Sequence, residues 1–149
     1  MKSFKQIYEQ SYSYALGTYQ PEVDLNAEAG DGHLTKKDLD NVEVYADRLY
    51  KAVGIDVEFT RHFLDRVNDA RNQKQITVSE LIRMFKQSFK KYGKKIAQLG
   101  PDAEAVLNDT QTDVNMPFVL NWNGKELDLV AKTVMRKKNF STPDPKLSF

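Results

Sequence analysis

The fold class is decided by the stretch Phe118-Val119-Leu120-Asn121-Trp122-Asn123-Gly124, which joins a run of strand-forming residues to a turn signal. Asn-Gly supplies the positive φ angles that a tight primed turn requires. A second extended run follows from Glu126 to Arg136, so the sequence predicts an antiparallel β-hairpin. Upstream of it, Ala105-Val106-Leu107 fits either a short helix or a first strand.

Two helices are predicted in the first half of the chain. Thr35 and Asp38 form a capping box, and apolar residues at three- and four-residue steps follow until Gly54. Asp56 is placed to cap a second helix over about residues 57–71.

A third helix begins at another capping box, formed by Thr77 and Glu80, and its apolar stripe predicts an end at Gly93. Helices therefore come first and a hairpin last, which predicts an α+β fold with N-terminal helices packed on a small C-terminal antiparallel β-sheet. We divide the chain into an N-terminal peptide and linker (1–33), a single α+β domain (34–140) and an irregular tail (141–149).

The composition indicates a globular protein that has no disulfide cross-links. The 149 residues are 40% hydrophobic and 29% charged, and the absence of cysteine excludes disulfides and a thiol nucleophile. No apolar run approaches the roughly 20 residues of a membrane span, so no membrane partner is expected. The first 50 residues carry nine acidic and five basic side chains, whereas residues 51–149 carry 12 and 17. This asymmetry favours a polyanionic partner such as RNA or another nucleic acid, although solvated helix surfaces explain it equally well.

The middle helix carries the first candidate catalytic residues, His62 and Arg66. At 100° per residue, Arg66 falls on the apolar face and His62 at its border, where an imidazole can exchange protons with a substrate. A second interpretation is that Arg66 pairs with a carboxylate such as Asp69 and that His62 is an ordinary residue at the edge of the helix.

The second candidate segment ends the hairpin. Thr133 and Arg136 would complete the set needed for metal-independent RNA cleavage, which requires a base, an acid and cations that stabilise a dianionic phosphate. In one continuous strand, Lys132 and Arg136 would share a face with Val134. Protection of an edge strand against aggregation is the alternative role of these cations.

Further cations are candidates for nucleic-acid contacts. They comprise Arg71, Lys132 and Lys137 together with Lys86, Lys90, Lys91 and Lys94 of a basic run that begins at Arg83 and ends at Lys95. The solvated face of the third helix explains the run equally well. The sequence has no Gly-rich phosphate loop, His-Glu-x-x-His or nucleophile elbow, so no cofactor and no metal site is predicted.

Residues 57–138 resemble the broad superfamily of barnase, EndoU, colicin and RelE-like nucleases, in the divergent form found in phage proteins. Those domains place helices before a meander of about four strands, with a histidine or arginine in the early helix and a hydroxyl and a basic residue in a late strand. The resemblance implies catalytic roles for His62, Arg66, Thr133 and Arg136.

The N-terminus, with Met1-Lys2 and Phe4, resembles the capsid-targeting peptide of internal head proteins in T-even-like bacteriophages. Those peptides are removed after a glutamate in a pattern that Ile7-Tyr8-Glu9 matches. Together the resemblances imply a phage-encoded, metal-independent ribonuclease-like effector, located in the virion interior or the host cytoplasm. Two alternatives fit as well: a non-enzymatic phage protein that binds a host protein or nucleic acid, and a structural virion component. No feature of the sequence indicates an oligomeric state.

Overall fold

Helix α1 spans Lys36–Tyr50 in the computed structural model of the chain, which describes residues 32–149. The predicted capping box is confirmed: the Thr35 hydroxyl accepts the Asp38 N–H at 3.1 Å, and Asp38 accepts the Thr35 N–H at 2.8 Å. A 3-10 turn over Lys51–Val53 follows, and Gly54 ends it at φ 75°, which suits a residue without a side chain. The two N-terminal resemblance motifs lie outside the described residues.

The helix predicted over 57–71 is wrong in its first half. Residues Ile55–Phe59 form strand β1, and only Phe63–Val67 form helix α2, followed by a 3-10 turn over Ala70–Asn72. Ile55 and Val57 are buried while the carboxylates between and after them face outward, which is the two-residue period of a strand. Because β1 has only five residues, its apolar positions also fit the spacing of the helix that the sequence predicted over residues 57–71.

Helix α3 spans Val78–Leu99 and begins at the predicted capping box, in which the Thr77 hydroxyl accepts the Glu80 N–H at 3.1 Å. Its predicted end at Gly93 is wrong. A Cβ at Gly93 would lie 3.0 Å from the Phe89 ring, so the glycine makes room for that ring inside the helix. The helix ends instead at Gly100, where φ is 84°.

The remaining chain supplies five more strands. They are β2 (Glu104–Asp109), β3 (Val114–Trp122), β4 (Leu127–Ala131), β5 (Met135–Arg136) and β6 (Lys146–Ser148). The predicted hairpin is confirmed as the antiparallel β3–β4 pair, and the ambiguous 105–107 segment is a strand.

The sheet has the order β1-β4-β3-β2-β6, with β5 pairing with β3 beside β4. It is mixed, because β1 runs parallel to β4 and β6 runs parallel to β2. The α+β class is therefore confirmed, but the sheet is neither small nor purely antiparallel. The tail predicted to be irregular supplies β6, since the Val106 N–H donates to the Pro145 carbonyl at 2.9 Å and the Phe149 N–H to the Asn108 carbonyl at 3.0 Å.

Helices α1 and α3 pack on one face of the sheet and enclose the core. Tyr50 is buried between them, with its ring edge-on to Phe89 at 5.3 Å and its hydroxyl 2.7 Å from the Ser88 hydroxyl. Within residues 32–149, every buried side-chain nitrogen and oxygen has a hydrogen-bond partner. This packing fixes the ends of the strands from which the candidate site is built.

Helix α1 also covers the outer edge of β1. The Asp47 carboxylate accepts the Val57 N–H at 2.6 Å, so an edge strand that would otherwise present unpaired backbone groups is capped by a side chain. Burial raises the pKa of Asp47 to about 7, against the lowering effect of the Val57 N–H, and the neighbouring Asp56 and Glu43 raise it further. The folded state therefore favours the protonated form of Asp47.

Replacing Asp47 by asparagine is expected to raise thermal stability at alkaline pH and to change it little in acid. Because the pKa of Asp47 is raised in the folded state, ionisation destabilises the wild-type fold as pH rises from about 4 to about 7. Asparagine keeps an oxygen for the Val57 N–H and cannot ionise. Melting temperatures of both proteins at about pH 4 and about pH 8 test this. Asp40→Asn, at an exposed position of α1, is the control, and an equal difference at both pH values would contradict the prediction.

Candidate functional site

The two candidate segments leave the sheet side by side because β1 and β4 are parallel. Phe59 lies opposite Ala131 in the register, so both strands end at the same edge. The next residue, Thr60, binds the other chain segment twice: its N–H donates to the Ala131 carbonyl at 3.2 Å and its hydroxyl to the Lys132 carbonyl at 2.8 Å. His62 and Thr133 therefore lie just beyond the paired ends of β1 and β4, at the same edge of the sheet.

A cavity of about 1000 Å³ lies between these segments. All four predicted catalytic residues line it: His62, Arg66, Thr133 and Arg136. The other charged side chains of its lining are Arg71, Lys132, Lys137, Lys138, Asp69 and Asp113. The lining has six Lys and Arg side chains and two Asp, and two of the cations pair with carboxylates outside the lining, Glu80 and Glu104. The remaining excess of two positive charges favours an anionic ligand.

Arg66 does not lie on the apolar face, and that prediction is wrong. Helix α2 is little more than one turn long, and the Arg66 side chain is 49% exposed. The alternative pairing with Asp69 is present in a loose form, with 3.8 Å between Nη1 of Arg66 and Oδ2 of Asp69. Exposed pairs of this kind contribute little, so the Arg66 guanidinium can turn toward a bound anion.

Arg71 binds the same carboxylate much more closely. Its Nη2 and Nε lie 2.8 and 3.1 Å from Oδ2 of Asp69, and its backbone N–H donates to Oδ1 at 2.8 Å. These hydrogen bonds lower the pKa of Asp69 to about 2. The charge of Arg71 is therefore largely matched within the cavity wall, which weakens its predicted role as a contact to nucleic acid.

Arg136 lines the cavity, but every N–H of its guanidinium is hydrogen-bonded. Both terminal nitrogens donate to Glu80, at 2.7 and 2.8 Å, and the remaining hydrogens are directed to backbone carbonyls of Lys74, Gln75 and Thr112. The two side chains are 14% and 15% exposed. Five donated bonds use every N–H of a guanidinium, which favours an architectural role over the predicted catalytic one.

The continuous strand predicted through residues 132–136 is also wrong. Strand β4 ends at Ala131, residues 132–134 are irregular, and β5 begins at Met135. The Nζ of Lys132 pairs with Glu104, the first residue of β2, at 2.9 Å.

Six other polar side chains of the lining have no hydrogen-bond or ion-pair partner among residues 32–149. They are the imidazole of His62, the hydroxyl of Thr133, the amide of Gln73, the carboxylate of Asp113 and the ammonium groups of Lys137 and Lys138. His62 precedes α2, where its carbonyl accepts the Arg66 N–H at 3.1 Å while its ring makes no cap. The cavity therefore presents a proton-transfer group, a hydroxyl and cations that the fold leaves free.

The rim of the cavity holds a strained turn that the sequence does not signal. Gln73 has φ 65° and ψ −57°, and the Lys74 N–H donates to the Asn72 carbonyl at 2.7 Å, which together define the rare form of the γ-turn. Such a conformation is expected to cost about 1–3 kcal/mol at a non-glycine residue. Buried Asn72 holds the turn, because its side chain donates to the Arg66 carbonyl at 2.9 Å and accepts the Arg136 N–H at 3.0 Å.

No protein-family model, curated protein or solved structure matches the chain. The assignment of the site therefore depends on its geometry and on the chemistry of its side chains.

The lysines of α3 are not brought to the cavity. Lys90 and Lys94 are exposed on the helix surface, while Lys91 donates to the Ser148 carbonyl at 2.9 Å and lies 5.3 Å from the Tyr92 ring. The cation that opens the predicted basic run, Arg83, pairs with buried Asp109 at 2.9 Å. The candidate nucleic-acid contacts thus fall into two surfaces, one inside the cavity and one along α3, which also carries Lys86.

Three carboxylates form a separate group on β1 and β4. Asp56, Glu58 and Asp128 place oxygens within 4.8 Å of one another, and one oxygen of Asp128 accepts the Asn123 amide at 3.0 Å. Burial raises the pKa of Asp128, and the neighbouring Asp56 raises it further. None of the three lines the cationic cavity.

Within residues 32–149, no helix has the length and apolar character needed to cross a membrane.

Proposed function

We propose that this protein is a phage-encoded, metal-independent ribonuclease-like effector whose substrate phosphate binds in the cavity between α2 and residues 132–138. The observation that carries the proposal is the shared cavity in which cations surround His62 and Thr133, whose side chains have no hydrogen-bond partner among residues 32–149. The resemblance to barnase-, EndoU-, colicin- and RelE-like nucleases implies roles for His62, Arg66 and Thr133 as well, whereas Arg136, which it also implies, is bound to Glu80.

The chemistry follows from the side chains that the fold leaves free. The His62 imidazole accepts the proton of a ribose 2′-hydroxyl, and the 2′-oxygen attacks the adjacent phosphorus. The phosphorus becomes pentacoordinate and carries an additional negative charge, which the cations of Arg66, Lys137 and Lys138 stabilise while the Thr133 hydroxyl donates to a nonbridging oxygen.

Collapse of this intermediate breaks the bond from phosphorus to the 5′-oxygen. The leaving oxygen takes a proton from the ammonium group of Lys137 or Lys138. His62 then releases its proton to solvent, and the lysine takes one up from solvent. The products are a 2′,3′-cyclic phosphate and a 5′-hydroxyl, so the reaction consumes no water and needs no metal ion.

The direct test is cleavage of labelled single-stranded RNA by the full chain in the presence of EDTA. We expect products that end in a 2′,3′-cyclic phosphate, and no cleavage of a matched strand in which the ribose at the cleaved position lacks its 2′-hydroxyl. Cleavage of that deoxy strand, or a requirement for Mg²⁺, would contradict the mechanism. Absence of cleavage in any RNA would contradict the function.

A second candidate function, binding of a polyanion without chemistry, is favoured by the exposed Lys90 and Lys94 outside the cavity. It predicts binding to duplex DNA or RNA that weakens steeply with salt, while every strand stays intact. Binding to a host protein and a structural role in the virion are the other non-enzymatic alternatives. Packaging in the head depends on residues 1–10, and mass spectrometry of purified particles for a chain that begins at Gln10 tests it.

A further inference from the structure

The cavity holds one exposed side-chain amide, that of Gln73, and the fold fixes where it stands. Its backbone forms the centre of the γ-turn, with its own N–H donating to the Ala70 carbonyl at 3.0 Å. The turn is anchored by buried Asn72, which binds α2 on one side and β5 on the other. The Cα of Gln73 is therefore positioned at the rim, although a positive φ is unfavourable for any residue with a Cβ.

The Gln73 amide is also free of internal partners. Among the described residues no group donates to it or accepts from it, and its side chain is exposed. By contrast, Asn72, the other amide of the lining, directs its donors to carbonyls of α2. Gln73 thus offers two donors and one acceptor to a ligand in the cavity.

The proposed mechanism assigns the free cations of the lining to the phosphate. Contacts with phosphate oxygens position a strand and carry no sequence information. Sequence in RNA is read from unstacked bases through hydrogen bonds to their edges, and a glutamine amide forms two such bonds with the N6 and N7 atoms of adenine. The Gln73 amide is neutral and offers both donors and an acceptor, so it suits the edge of a base better than it suits a phosphate.

We propose that Gln73 is a specificity-determining residue that binds adenine next to the cleaved bond, an inference that depends on the ribonuclease function proposed above. The cations hold the phosphate, and the γ-turn holds the amide beside it. Strands with adenine at that place are therefore cleaved faster than strands with another base.

The test uses chimeric oligonucleotides with a single ribonucleotide, so that each has one cleavable bond, and with flanking bases that differ among adenine, guanine, cytosine and uracil. We expect wild-type protein to cleave the adenine substrate about tenfold faster than the others, since a good bidentate contact discriminates by about 5- to 150-fold. Gln73→Gly and Gln73→Glu should cleave all four substrates at similar rates, close to the wild-type rate on the poorer substrates. Glutamate keeps the length of the side chain and loses the donors.

Two further measurements separate base reading from a structural effect. Gln73→Gly should melt at or above the wild-type temperature, because glycine adopts positive φ without strain. Gln111→Ala, which removes an exposed amide that does not line the cavity, should keep the adenine preference.

The inference is overturned if wild-type protein cleaves RNA without base preference or prefers a base other than adenine. It is also overturned if both Gln73 variants keep the ratio of rates, or if they slow all four substrates equally. Absence of cleavage by wild-type protein would remove the proposed ribonuclease function itself, and the base preference with it.

Discussion

Replacing His62 by glutamine is expected to slow the proposed RNA cleavage by about 10²–10⁴-fold, the range that a positioned general acid or base contributes. The imidazole is the group in the cavity lining to which the proposed mechanism assigns the proton of the 2′-hydroxyl. Its loss should leave the fold intact, because the ring is exposed and makes no helix cap. Single-turnover cleavage rates and melting temperatures of the two proteins measure the two effects separately.

The second histidine of the described chain supplies the matched control. His33 does not line the cavity, so His33→Gln should cleave at the wild-type rate. A wild-type rate in His62→Gln would remove the imidazole from the mechanism and would leave the cavity as a binding site for anions. A strongly lowered melting temperature in His62→Gln would mean that the slower cleavage reflects unfolding and not chemistry.

Local signals in the sequence were sufficient where a few neighbouring residues decide the structure. Both capping boxes and the β3–β4 hairpin are present as predicted, and each box depends on contacts within about four residues. The tight primed turn is not present: residues 123–126 connect the two strands, and Gly124 has a positive φ whereas Asn123 does not. The parallel pairs β1–β4 and β2–β6 were missed, since their partners are distant in the chain and β1 is only five residues long.

In the candidate site, too, the sequence indicated the residue types but not the contacts between residues that are distant in the chain. The sequence indicated which residue types belong to metal-free phosphate chemistry, and the four predicted residues line one cavity. It could not indicate that the parallel β1–β4 pair brings their segments together, nor which cations the fold would engage. Glu80 illustrates the difficulty: its spacing from Thr77 reveals the helix cap, whereas its salt bridge to Arg136 joins residues 56 positions apart.

That salt bridge carries the largest expected effect on stability. Replacing Arg136 by methionine should lower the free energy of unfolding by about 3–5 kcal/mol, the range for removing one partner of a buried ion pair. Glu80 would be left ionised and largely buried, and the carbonyls of Lys74, Gln75 and Thr112 would each lose a donor. Lysine should restore little of this, because an ammonium cannot reproduce the planar fork of donors. Urea denaturation of the wild type, Arg136→Met and Arg136→Lys measures these differences.

The pH dependence and a matched pair make this test specific. Burial alone would raise the pKa of Glu80, but hydrogen bonds from Arg136 and from the Thr77 N–H hold it below its ordinary value. Because the pKa of Glu80 is lower in the folded state, ionised Glu80 stabilises the fold at pH values above its unfolded pKa of about 4.3. That stabilisation is lost as the pH falls through the pKa of the folded state. The difference between wild type and Arg136→Met should therefore shrink below about pH 4. Lys132→Met breaks an exposed pair and should change stability by at most about 1 kcal/mol. If the two substitutions lower the free energy of unfolding equally at neutral pH, the Arg136–Glu80 salt bridge does not make the predicted contribution to stability.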